Sequence, residues 1–207
     1  MNMKKIKDII YEKTIKKHRE NIDLAQNAAE KNSAWLITKV SKFLERFSLD
    51  EEPEDILVKI KEDYLFAAAF AKDPGRQNIA EKIQLAELAK YCEVQKLPNT
   101  GKKALFINNG KISNIRGTTK SLDAIINDTY CSLKYTKDSG GTQTNQITDI
   151  KLFLDAAKDC PQNFAAIVDG NEWEKYLPNL VAEHAKDQNL WIGTSDEWIE
   201  EKGTRSV

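Results

Sequence analysis

The chain has 207 residues, 41% of them hydrophobic and 30% charged, with a formal net charge of −1. That is chain enough for one sizeable core with a helical appendage, in the composition range of globular proteins. No apolar run approaches a membrane span, and the basic N-terminus "MNMKKIKDIIYEKTIKKHRE" lacks the apolar stretch and cleavage site of a secretory signal. Cys92, Cys131 and Cys160 are an odd number without metal-like spacing, which reads as free thiols in a reducing cytoplasm. His18 and His184 are far apart in the chain and give a zinc site or a histidine-based triad little to work with.

Residues 1 to about 92 read as helical. "AWLITKVSKFLERF" sets Trp35, Leu36, Val40, Phe43, Leu44 and Phe47 at helical spacing. The next stretch breaks at Pro53 and resumes with Ile56, Val58, Ile60, Tyr64 and Leu65. "DPG" at Asp73 to Gly75 marks a turn. In "RQNIAEKIQLAELAKYC" a further helix is predicted, with Ile79, Ile83 and Ala86 on one side and Gln77, Glu81 and Gln84 roughly opposite.

The pattern then changes from period 3.6 to period 2. "LPNTGK" is a loop, and "KALFINNGKISNI" reads as a hairpin turning at "NNG". "SLDAII" and "YCSLKYT" form a second hairpin about "NDT". "NQITDIKLFLDAAKDC" is a helix with Ile147, Ile150, Leu154 and Ala157 as its stripe. "NFAAIVDG" is a short buried strand. "EWEKYLPNLVAEHAKD" is helical with a kink or restart expected at Pro178. "NLWIGTS" is a last strand, and "SDEWIEEK" a last helix with Ser195 as its expected N-cap. Hairpins followed by helix-linked strands predict an α/β fold with a mixed sheet flanked by helices.

Two features carry chemistry. First, no acidic residue lies between Glu93 and Asp123, whereas Lys96, Lys102, Lys103, Lys111, Arg116 and Lys120 do. Such a segment can neutralise phosphates even in a slightly acidic protein, because the local field is the one that matters. A solvated hairpin with ordinary surface lysines is the plainer account. Second, alternation in the second hairpin puts Asp123 on one face of its strand and Ser132 and Lys134 on one face of the next, so Asp123 is expected near Ser132 or Lys134. A carboxylate that holds Mg²⁺ beside an ammonium that stabilises charge on an attacked phosphate is a hydrolytic arrangement. An ordinary cross-strand ion pair is the alternative. After Lys134, "KDSGGTQTNQ" brings two glycines and an amide cluster to a helix start, where unpaired N–H groups favour an anion. Gln143, Asn145 and Gln146 are of the type that reads base edges.

The stretch "LDAIINDTYCSLKYTKDSGGTQTNQITDIKLFL" resembles the catalytic core of type II restriction endonucleases of the PD-(D/E)XK superfamily, several of which run a lysine strand into a Ser-Gly-Gly-x-Gln-x-Asn-Gln helix start. With the helix before it and "AAIVDG" after it, the resemblance covers about residues 77 to 194. It implies a restriction-endonuclease-like core at 77–207 behind a helical region at 1–76, and Mg²⁺-dependent, site-specific hydrolysis of double-stranded DNA. It casts Asp123 as metal ligand and Lys134 as catalytic lysine. Ser132 stands where the superfamily usually has an acid; Glu81 is the expected replacement, with Asp128 and Asp149 behind it. Ser139, Gly140, Gly141, Gln143, Asn145, Gln146, Lys102, Lys103, Arg116 and Lys120 are the expected DNA contacts. A palindromic site implies a homodimer, for which Trp35, Phe43 and Phe47 could supply the surface, and a protecting DNA methyltransferase as genetic partner. A catalytically degenerate DNA-binding module and a repair or junction nuclease on the same fold are the alternatives.

Overall fold

The computed structural model describes residues 4–74, 78–117, 119–136 and 141–204, the side chains of 141–143 excepted. Its elements in chain order are α1 (Ile6–Glu30), α2 (Ala34–Phe47), α3 (Pro53–Glu62), α4 (Tyr64–Phe70), α5 (Ile79–Leu88), β1 (Val94–Lys96), β2 (Phe106–Asn108), β3 (Lys111–Ser113), β4 (Ala124–Ile126), β5 (Thr129–Tyr135), α6 (Gly141–Ala157), β6 (Phe164–Asp169), α7 (Trp173–Glu183), β7 (Leu190–Gly193) and α8 (Ser195–Lys202). Two compact units result: Tyr11–Ala80, and the described parts of Met1–Ile10 and Glu81–Val207.

The first unit is helical. Ile22, Ala25, Leu36, Val40, Leu44, Ile56, Ile60 and Phe70 form its core. Helix α2 ends at Ser48 in the left-handed region, and α3 starts on Pro53, whose missing N–H is no loss in a first turn. The helical stretch that resumes at Pro53 is divided into two helices, α3 and α4. Asp63 leaves helical geometry and its carboxylate accepts the N–H of Phe66 at 3.0 Å, capping a new helix. Phe43 packs against Phe47 and Phe70, while Trp35 and Phe47 are exposed.

The second unit is α/β. Its five-stranded sheet has the order β1-β4-β5-β6-β7. β1, β4 and β5 are antiparallel neighbours, and β6 and β7 join parallel to β5. Alternation along β6 divides the core: Phe164, Ala166 and Val168 meet α6 and α7 through Phe153, Leu154, Trp173 and Leu180. Ala165 and Ile167 meet α5 and α8 through Leu85, Leu88 and Trp198. Burying a side chain of this size contributes about 1.5–3 kcal/mol, and all six residues of β6 are buried. The N-terminus of α1 is fixed to this unit, since the carboxylate of Asp196 accepts the Ile6 N–H at 3.2 Å.

Several local expectations change. β2 and β3 pair only with each other and stand as a separate ribbon, turning at Asn109 and Gly110, both with positive φ. The partner of β4 in the main sheet is β1, a three-residue edge strand that alternation alone does not reveal. The buried residues of α5 are Gln84, Leu85, Glu87 and Leu88, not the Ile79, Ile83 and Ala86 side; Gln84 finds its partners inside. α7 runs through Pro178 without restarting. The N-cap of α8 is Thr194, which exchanges hydrogen bonds with Glu197 in a capping box, while Ser195 is already the first helical residue.

Candidate active site

The β4–β5 hairpin turns at Asn127 and Asp128, both with positive φ, as a two-residue turn between twisted strands requires. Ala124 pairs with Cys131, and the Asp123 N–H donates to the Cys131 carbonyl at 2.9 Å. This register brings Asp123 beside the face that carries Ser132 and Lys134. The Lys134 ammonium lies 3.4 Å from Asp123 Oδ2 and donates to the Leu133 carbonyl at 3.0 Å. Asp123 Oδ2 also accepts the Leu133 N–H at 2.8 Å. The two side chains are 8% and 15% exposed, so this is a desolvated pair and not a surface contact. Burial raises the pKa of Asp123, and the nearby Glu81 charge raises it further. Lys134 and the Leu133 N–H pull the other way without cancelling the rise.

Glu81, on the first turn of α5, accepts from Lys96 Nζ at 2.7 Å and from Asn99 Nδ2 at 3.4 Å. Its charge is felt at Asp123. Asn99 Oδ1 is buried without a partner. Ser132 is buried and close to Lys134, with no carboxylate at that position. Among the described residues no group of three His, Cys, Asp or Glu converges as a ready metal cage. Asp149 pairs with Lys120 at 2.5 Å, and Asp128 occupies the hairpin turn.

The expected DNA contacts divide. Lys102, Lys103 and Arg116 are exposed on and beside the β2–β3 ribbon. Lys120 is exposed but tied to Asp149. Asn145 is exposed on the first turns of α6, and the side-chain carbonyl of half-buried Gln146 accepts from the Thr136 hydroxyl. Gly141 opens α6. Gln77, Ser139, Gly140 and the side chain of Gln143 lie outside the described residues. Gly170, at φ +114°, lets β6 end close against β5: a Cβ there would sit 1.9 Å from the Thr136 carbonyl oxygen.

A second buried polar group was not anticipated. Asp169, at the end of β6, accepts from Gln84 Nε2 at 2.7 Å, from the Ser195 N–H at 3.2 Å and from the Ser195 hydroxyl. All three residues are almost fully buried, and Gln84 Oε1 is left without a partner. This group ties α5, β6 and α8 together one helical turn from Glu81. The signal for it was the Asp-Gly end of an otherwise apolar strand. Nothing in the sequence near Gln84 points to its partners, which lie 85 and 111 residues away.

Comparison with known proteins finds no matching family model, no matching curated protein and no matching solved structure. Among the described residues no helix is long and apolar enough to cross a membrane, and Cys92, Cys131 and Cys160 are buried.

Proposed function

We propose that the chain is a type II site-specific endonuclease hydrolysing phosphodiester bonds in double-stranded DNA with Mg²⁺. The observation that carries this reading is the desolvated pair of Asp123 and Lys134, 3.4 Å apart on neighbouring strands. A buried carboxylate with a raised pKa, next to a single ammonium, is short of positive charge. An ion pair kept only for stability would more cheaply be apolar.

The donor set fits a hard divalent cation, for which oxygen ligands are suited. Asp123 would hold it through Oδ1, since the hydrogen bonds from Leu133 and Lys134 fall on Oδ2. Glu81 would join by giving up Lys96, and the orphan Asn99 Oδ1 supplies a neutral oxygen beside it. Bound Mg²⁺ supplies Lewis-acid polarisation of the phosphate and a more acidic water. Lys134 stabilises the charge that develops on the attacked phosphate or orients the attacking water. The 5′-phosphate and 3′-hydroxyl products follow the superfamily. Asn145, Gln146 and Gln143 hold the duplex in register or read base edges. A cytoplasmic homodimer with a protecting methyltransferase completes the proposal.

Ser132 in place of an acid favours a second reading, a DNA-binding module that no longer cuts. Incubation of supercoiled plasmid with Mg²⁺ or EDTA separates the two. Discrete fragments with Mg²⁺, lost in Asp123→Asn, support the nuclease; binding without cleavage supports the module; a smear or junction-only cutting points to a different nuclease.

A further inference from the structure

We infer that the β2–β3 ribbon and the extended segment beside it form an arm, joined to Asp123 through Leu122, that grips the backbone of double-stranded nucleic acid. The inference deepens the proposed function and rests on it for the identity of the duplex as substrate. Gly117 and residues 119–122 lie back along β2. Leu122 N–H donates to the Leu105 carbonyl at 2.8 Å, and Ile107 N–H to the Thr119 hydroxyl at 3.4 Å. Gly117 lies so close that a Cβ would be 2.4 Å from the Ile107 carbonyl oxygen. β2 is therefore flanked on both sides, by β3 and by this segment, and packs through Ile107 into the α6 core. Leu122 leads directly to Asp123.

The charges on the arm are of two kinds. Lys96 and Lys120, at its base, are paired with Glu81 and Asp149. Lys102, Lys103, Lys111 and Arg116 are exposed and have no acidic partner among the described residues. Four unneutralised cations in a stretch without a single acid are the footprint of a polyanion. A duplex fits better than the other polyanions. A single strand would call for stacking platforms, and the arm's one aromatic, Phe106, is half-buried. A lipid surface would call for an apolar face, and Ile115 is the one large hydrophobic exposed there among the described residues. From Arg116 to Asp123 the chain can reach no more than about 25 Å, or about seven base pairs of duplex.

The test uses the full chain, a 30-base-pair duplex and EDTA, so that binding is read without cleavage. Every phosphate that a substitution leaves unneutralised flattens the salt dependence by about 0.9 in log–log slope. The variant Lys102→Gln/Lys103→Gln/Lys111→Gln/Arg116→Gln should therefore show a slope shallower by about 3–4. Between 50 and 200 mM salt the wild type should lose about 100-fold more affinity than the variant. All four sites are exposed, so the thermal midpoint should not move. Phosphate ethylation interference should fall within about seven base pairs of the cut. An unchanged slope overturns the arm, even if the protein cuts DNA. Binding to anionic phosphatidylserine vesicles that the substitutions abolish, with duplex binding intact, also overturns it and makes the arm a membrane contact. Wild-type duplex binding with the steep slope but no cleavage in Mg²⁺ supports the arm and sinks the nuclease reading alone.

Discussion

Lys134 Nζ and the Leu133 N–H converge on one oxygen of Asp123, Oδ2, at 3.4 and 2.8 Å. Both hydrogen bonds hold the carboxylate by the same oxygen. Asp123→Asn keeps an acceptor for the Leu133 N–H, so the fold should survive, while a neutral amide ligates Mg²⁺ poorly. Cleavage should drop by at least about 100-fold with an unchanged circular-dichroism melt. Cutting at the wild-type rate would remove Asp123 from the mechanism.

Lys134→Ala removes the one ammonium beside a buried carboxylate. Cleavage should be lost, while duplex affinity changes little, since one phosphate-facing charge is a small part of it. Stability should fall by about 3–5 kcal/mol, because Asp123 is left without a counter-charge. Gel-shift titration and urea unfolding read the two effects separately. A binding loss as large as the activity loss would mean that Lys134 serves affinity alone.

If Glu81 supplies the carboxylate missing at Ser132, Glu81→Gln should weaken Mg²⁺ binding about as much as Asp123→Asn. Asp149→Asn should not, because its partner is Lys120. Calorimetric titration with Mg²⁺ in the absence of DNA decides it. The reverse ranking would move the second ligand to α6.

Asp169 makes stability depend on pH. Burial lifts its pKa to about 6 from 3.8, and the bonds from Ser195 and Gln84 offset only part of the rise. A carboxyl that is easier to protonate when folded contributes stability that is full below about 3.8 and lost as pH climbs through about 6. The change is about 3 kcal/mol. Asp169→Asn should remove this component, so that the wild-type and variant stability curves converge or cross between pH 4 and 7. Denaturant unfolding across that range measures it, and parallel curves would show that Asp169 does not titrate there.

Much of the second unit was legible. Asn127–Asp128 and Asn109–Gly110 marked their turns because so few residues tolerate positive φ. The Ile150–Leu154–Ala157 stripe and the uninterrupted apolar β6 marked buried faces. From that register the Asp123–Lys134 meeting could be read in advance. What stayed hidden depended on partners distant in sequence. β1 is three residues long, and only its pairing with β4 makes it a strand. Gln84 is polar, and its burial depends on Asp169, Ser195 and the Ile167 carbonyl, all distant in sequence. Asp63 could have continued a helix; its carboxylate found the Phe66 N–H instead. Thr194, one residue before the expected cap, won because Glu197 could answer it.

β5 is antiparallel to β4 on one side and parallel to β6 on the other. The consequence is a difference in timing. A hairpin closed by a two-residue turn forms in about 1–10 μs, whereas a parallel partner must wait for its whole crossover helix. Asp123 and Lys134 belong to the hairpin, so they should meet before α6 has docked. In pulse-labelling during refolding, the Leu133 amide, bonded to Asp123, should gain protection ahead of the Phe164 amide, which the Asn189 carbonyl holds at 2.8 Å. Asp123 and Lys134 should thus come together as a local event and be enclosed afterwards.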